Sequence, residues 1–155
     1  MQTWQALGTS SSIWETALAR LTIFVRRVSL PMLRGSLGLV FAWFGALKIA
    51  GTTPVAALVA RTLPFFDARW FVPALGLFEV ALAVALVSGR WLRSVVVIMA
   101  MHLCGTFLVF FTQPSVTFQN GNPLLLTTEG EFVLKNIVLI AACLVVATHP
   151  RPQRR

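Results

Sequence analysis

The chain is short of charge. Its 155 residues hold only 12% Asp, Glu, Lys and Arg against 57% hydrophobic residues, with a mean hydropathy of +0.79. An ordinary globular chain carries about 25% charged residues, so this one has about half of what a water-facing surface needs. A soluble domain is thereby disfavoured, and so is a disordered one. Cysteine is also scarce: with two residues, Cys104 and Cys143, a disulfide-stapled secreted domain is excluded. No internal repeat, low-complexity stretch or second domain is evident, and residues 1–12 lack the basic start and apolar run of a cleavable signal peptide.

What is present in quantity is apolar sequence in runs near the roughly 20 residues that cross a hydrocarbon core. Leu30–Ala50, Trp70–Ser88, Trp91–Thr112 and Phe132–Thr148 are the expected spans. Basic residues fall mostly on one side of them. Arg20, Arg26, Arg27 and Arg34 precede the first, Arg90 and Arg93 separate the second and third, and Arg151, Arg154 and Arg155 follow the fourth. The net charge of +8 then reads as a topology signal with both termini cytoplasmic, and nucleic acid is not an expected partner.

The expected fold is all-α, an integral membrane four-helix bundle. A cytoplasmic segment, residues 1–29, precedes it with an amphipathic helix carrying Trp14, Leu18, Leu21, Val25 and Val28, expected either to lie in the interface or to pack, solvated, against the cytoplasmic ends of the bundle. Ser12 and Glu15 have capping-box spacing and mark its expected start. A short outer interfacial or re-entrant helix is expected between Thr53-Pro54, as cap and first helical residue, and Pro64. The turn-rich loop 113–130, with Leu124-Leu125-Leu126 inside it, is expected to fold over the outer mouth. Residues 149–155 form a basic cytoplasmic tail. Gly38, Ala42, Gly45 and Lys48 share roughly one face of the first span and supply the small residues that let helix backbones approach.

Ionisable residues inside the spans point to chemistry. Glu79, near the middle of the second, costs on the order of 2.5–3.5 kcal/mol to insert and is expected to face protein. It is either a proton-handling or ligand-binding acid or a buried carboxylate that pins the bundle. Side chains lean toward their helix N-terminus, so Glu79 and Lys48 on oppositely directed spans converge. With ~1.5 Å rise per residue, their contact is expected to need the full reach of both, with a water or small polar ligand bridging any remainder. His102, near the middle of the third span, is either hydrogen-bonded to a neighbouring helix or paired with Glu79 as acid and imidazole, able to pass a proton or hold a quinone carbonyl. Thr106 lies one turn outward and Gln113 on a similar face beyond it. Lys135 is expected to pair with Glu131 four residues before it or to snorkel, with Asn136 beside it. Glu79 and His102 are the candidate catalytic groups. Lys48, Glu79, His102, Thr106, Lys135 and Asn136 are the candidate ligand-binding set. No His/Cys cluster has metal spacing. The cysteines, ~10 Å or more apart in depth, are expected to be packed thiols.

The chain resembles the DoxX/DoxD-like family of small four-helix bacterial and archaeal membrane proteins, especially its inner-membrane branch linked to reactive-chlorine resistance. The likeness covers roughly residues 31–148. It rests on Arg34 followed by Phe41-Ala42-Trp43-Phe44-Gly45-Ala46-Leu47-Lys48, on Gly76-Leu77-Phe78-Glu79, and on Gly130-Glu131-Phe132-Val133-Leu134-Lys135-Asn136. Relatives often carry an acid where this chain has Asn136. The resemblance implies a bacterial inner-membrane protein acting as membrane subunit or anchor of a redox or oxidative-stress assembly, with other membrane subunits or further copies of itself as partners. It implies no cofactor held by the chain alone, and a quinone as the molecule such an assembly would use. The alternative is a purely structural subunit that stabilises a larger complex by helix packing.

Overall fold

A computed structural model describes residues 5–53 and 55–148; side chains are described from residue 14 onward. The described residues are helical almost throughout. Helix α1 is Gln5–Ile49, α2 Ala56–Thr62, α3 Ala68–Ser88, α4 Leu92–Thr106, α5 Val109–Thr112, α6 Pro114–Thr117, α7 Thr128–Leu134 and α8 Asn136–Thr148. Four stretches are long and apolar enough to cross a membrane: Trp14–Ile49, Ala68–Ser88, Leu92–Thr112 and Thr128–Thr148. These are the four expected runs, each extended or trimmed at its ends. The basic tail, residues 149–155, and Pro54 lie outside the described residues.

The chain divides into two units, Met1–Leu33 and Arg34–Arg155. In the first, the expected helix start at Ser12 is corrected: α1 already runs at Gln5, so Ser12 lies within the helix and cannot hold the non-helical backbone of a cap. No break separates this stretch from the expected first span either, because α1 continues through Pro31. A single proline removes one backbone bond, and the helix carries on around it. Trp14, Leu18, Leu21 and Phe24 are exposed.

The second unit is built inside out relative to a soluble domain. Leu39, Trp43, Leu77, Val84, Met101, Phe111, Val138 and Leu144 are exposed, whereas Lys48, Glu79, Gln113, Thr117 and Asn136 are buried. Polar groups inside and large apolar groups outside suit a chain whose solvent is hydrocarbon. α1 and α3 run antiparallel, and the close approaches fix their register. A Cβ added to Gly38 would meet Val87, one added to Gly45 would meet Gly76 and Val80, and one added to Gly76 would meet Lys48 and Ile49. At the far end of this seam the Arg34 guanidinium donates from Nη2 to the carbonyls of Leu86 and Val87, at 2.8 and 3.3 Å. A cation thus sits on the C-terminal turn of α3, where the helix dipole favours it. Gly89, in the left-handed region at φ 72°, ends that helix. On the other side of the unit α4 packs along α8 and against α3.

Two of the spans are interrupted. Between α4 and α5 the backbone tightens to i to i+3 bonds, Phe107 N–H to Cys104 O and Leu108 N–H to Gly105 O, at 3.1 and 3.2 Å. Between α7 and α8 Lys135 is the joint, and Val138 N–H bonds to Lys135 O at 3.1 Å. Such breaks at membrane depth are tolerated where protein or a cavity surrounds them.

The segment before α2 differs from expectation. Thr53 is not the cap of α2: the helix starts at Ala56 behind Val55, and Ala56 N–H bonds to the Thr53 backbone carbonyl at 3.4 Å, not to its side chain. The Thr53 hydroxyl is buried without a partner. The loop 113–130 is ordered as a hairpin. Gln119 N–H bonds to Leu125 O at 2.8 Å, Thr127 N–H to Thr117 O at 3.0 Å and the Thr127 hydroxyl to Val116 O at 2.6 Å. Gly130 packs against the Thr117 carbonyl where a side chain would not fit. Leu124 and Leu125 are exposed.

Candidate functional site

Glu79 is buried in the middle of α3 with 5% of its surface exposed, and both its oxygens are engaged. Lys48 Nζ donates to Oε2 at 2.6 Å, and His102 Nε2 lies 2.8 Å from Oε1. Three helices therefore meet at one carboxylate. The local sequence explains how. Gly45 precedes Lys48 by three residues and Gly76 precedes Glu79 by three. On a helix that spacing puts each glycine on the same face as its charged neighbour. The glycines let the two backbones touch, and because the helices are antiparallel the charges flank that contact, Glu79 beside Gly45 and Lys48 beside Gly76.

The contact between Lys48 and Glu79 is direct, a correction to the expected stretched or bridged one. Sequence placed Lys48 near an outer membrane boundary shared with the start of α3. Instead Lys48 packs level with Gly76, and α3 extends two turns beyond the end of α1. That register brings the ammonium to the depth of the carboxylate.

His102 stands between the rings of Phe41 and Phe78, with centroids 6.0 and 5.8 Å away. Its partner on the neighbouring helix is Glu79, a contact that both readings open for it contain. One turn further along α4, the Thr106 hydroxyl donates to Leu103 O at 2.6 Å and accepts from Asn136 Nδ2 at 2.8 Å. Sequence named Thr106 and Asn136 as neighbours of the site without linking them. The link joins the two interrupted spans at their break points. Glu131 and Lys135 approach to 3.8 Å as an exposed pair, of the kind that adds little stability.

A cavity of about 690 Å³ opens in this unit. Lys48, Glu79 and His102 lie in its wall together with Thr106, Lys135 and Asn136, and the remainder is almost wholly apolar, including Phe44, Phe71, Phe132 and Leu139. Leu58, Val59 and Thr62 of α2 cover one side of it, with Val55 just before that helix, and no residue of 113–130 lines it. Gln113 reaches α2: Nε2 donates to Leu58 O at 3.0 Å and to the Thr62 hydroxyl at 2.6 Å. Sequence gave no signal for this role beyond an amide at the end of a span.

Both cysteines are free thiols, but the expectation that both are packed is corrected: Cys143 is buried and Cys104 is exposed. Among the described residues no group of three or more His, Cys, Asp or Glu is placed to hold a metal ion.

Fold and site together define a class: a small all-helical chain with four helices able to cross a membrane and a buried ion-paired cluster set in an apolar cavity. Comparison with family models, curated proteins and solved structures found no match for this chain.

Proposed function

We propose that the chain is an integral protein of a bacterial cytoplasmic membrane, with both termini on the cytoplasmic side, and that its cavity binds the head of a small apolar molecule. One observation carries this reading: a carboxylate held by an ammonium and an imidazole forms part of the wall of an otherwise apolar cavity. A pocket with greasy walls and a few convergent polar groups is suited to an amphiphile. A quinone head has the size and polarity for it. With no metal or flavin motif of its own, the chain would serve as membrane subunit or anchor of a redox or oxidative-stress assembly, the role that a DoxX-like identity implies. The amphipathic stretch before the first span would then lie at the cytoplasmic interface and α2 at the outer one.

The test is purification from native membrane into lipid nanodiscs without detergent exchange, followed by extraction and mass analysis of bound small molecules. A quinone or similar amphiphile, retained by the native protein and lost in Glu79→Gln, is the expected result. Equal retention by both proteins would remove Glu79 from the binding role.

One observation favours a second reading. Both oxygens of Glu79 are already satisfied by the protein, as in an internal clamp. Under it the chain is an accessory subunit that stabilises a larger complex by helix packing, and native purification yields a stoichiometric membrane partner with no small molecule.

A further inference from the structure

The way Glu79 is satisfied determines which nitrogen of His102 carries hydrogen, and so what the imidazole offers to the cavity. His102 Nε2 and Glu79 Oε1 are 2.8 Å apart, a separation that requires one hydrogen between them. With the Lys48 ammonium on Oε2 at 2.6 Å, the carboxylate is the balancing charge and has no hydrogen to give. The hydrogen is therefore on Nε2. A neutral imidazole leaves the cluster of Lys48, Glu79 and His102 without net charge, the least costly arrangement among apolar walls. Among the described residues the one other charged side chain lining the cavity, Lys135, is exposed and faces Glu131.

In that tautomer Nδ1 is a lone-pair acceptor. Among the described residues it makes no hydrogen bond, and it is not among the sealed polar atoms. The His102 side chain is 14% exposed and lines the cavity. A second acceptor is oriented independently. The Thr106 hydroxyl gives its single hydrogen to Leu103 O, so Asn136 must present its NH₂ to Thr106, as it does at 2.8 Å. The amide oxygen of Asn136 then points away from that bond with no donor among the described residues, in a residue that also lines the cavity. His102 and Thr106 are four residues apart on α4, so the hydroxyl that holds the Asn136 amide belongs to the residue one helical turn from His102.

We infer that the cavity selects apolar molecules whose polar end donates hydrogen bonds, hydroxyl-bearing aromatics above all, with the hydroxyl seated on His102 Nδ1. The inference rests on the amphiphile-binding reading given under Proposed function and narrows it. Where a head exists in carbonyl and hydroxyl forms, the hydroxyl form is the one held, since a carbonyl would set lone pair against lone pair.

The experiment measures binding of 1-naphthol and of its methyl ether, 1-methoxynaphthalene, to the full chain in phosphatidylcholine nanodiscs, with empty nanodiscs subtracted. The expected result is a preference of about tenfold for the naphthol, the worth of one hydrogen bond to an acceptor otherwise left unpaired. His102→Gln can still donate to Glu79 through Nε2 but moves the acceptor from the Nδ1 position to its amide oxygen, and most of the preference should vanish. Equal binding of naphthol and ether overturns the inference and leaves the cavity as an amphiphile site. Binding of neither overturns both. Preference retained in His102→Gln overturns the assignment to Nδ1. A readout independent of any variant is the ¹⁵N spectrum of histidine-labelled protein. Nδ1 of His102 should resonate as an unprotonated nitrogen, and a protonated Nδ1 would refute the tautomer.

Discussion

Gly45 and Gly76 face each other so closely that a Cβ on Gly45 would lie 2.6 Å from the Gly76 carbonyl oxygen, and one on Gly76 would lie 2.5 Å from that of Gly45. Neither obstacle is the end of a flexible side chain, so a methyl group at either position must push the helices apart. Gly45→Ala and Gly76→Ala should each cost about 1–3 kcal/mol despite alanine's better helix propensity. Gly35, on the same helix with nothing within 4 Å of an added Cβ, is the control. Its alanine variant should gain up to about 1 kcal/mol. Reversible unfolding in mixed micelles would measure all three, and equal effects at positions 35 and 45 would contradict the packing.

The Lys48 and Glu79 pair should behave as a buried couple. Removing one member leaves the other charged and unpaired in the interior, at a cost of about 3–5 kcal/mol. Glu79→Leu or Lys48→Met alone should therefore be more damaging than the two together. A double-mutant cycle on stability checks this. Additive effects would mean that the 2.6 Å contact carries no coupling.

Much of this site can be read from sequence because charge in a hydrocarbon solvent has few places to go. A carboxylate in mid-span must turn inward, and the lean of side chains along antiparallel helices brings Lys48 toward it. The rotation of α4 about its axis is not encoded in any local pattern, so the imidazole of His102 is found at Glu79 only once three helices are assembled. Register is likewise a tertiary property. It is set by the contact of Gly45 with Gly76, and an assumption of level helix ends misplaces Lys48. The two expected caps, at Ser12 and Thr53, fail because a capping residue signals a helix start only if the backbone there is free to leave the helix or to enter it. Gln113 and Asn136 reach partners 55 and 30 positions away, beyond any periodicity.

Arg34 should be a structural cation. Its guanidinium holds the last carbonyls of α3, and a charge-assisted hydrogen bond contributes about 1.5–3 kcal/mol. Arg34→Met should lose most of that, and Arg34→Lys should recover part of it, since one ammonium can still reach Leu86 O. Hydrogen exchange at residues 84–89 reports the effect locally. Faster exchange in the methionine variant is expected, and unchanged exchange would assign the α3 terminus to other forces.

The covering helix α2 gives the last prediction. It has no buried residue of its own, so its place over the cavity depends on few contacts, and the Gln113 amide is the polar one among them. The carbonyl oxygen of that amide is buried without a partner, which works against the two bonds its nitrogen makes. Gln113→Leu removes the bonds and the unsatisfied oxygen together, so the net loss in global stability should be small, within about 1 kcal/mol. Local opening should respond far more. Exchange across residues 56–63 should accelerate several-fold, and entry of an apolar probe into the cavity should quicken, while exchange in α3 and α8 stays as it was. A uniform acceleration across all helices would show that Gln113 supports the whole unit and not its cover.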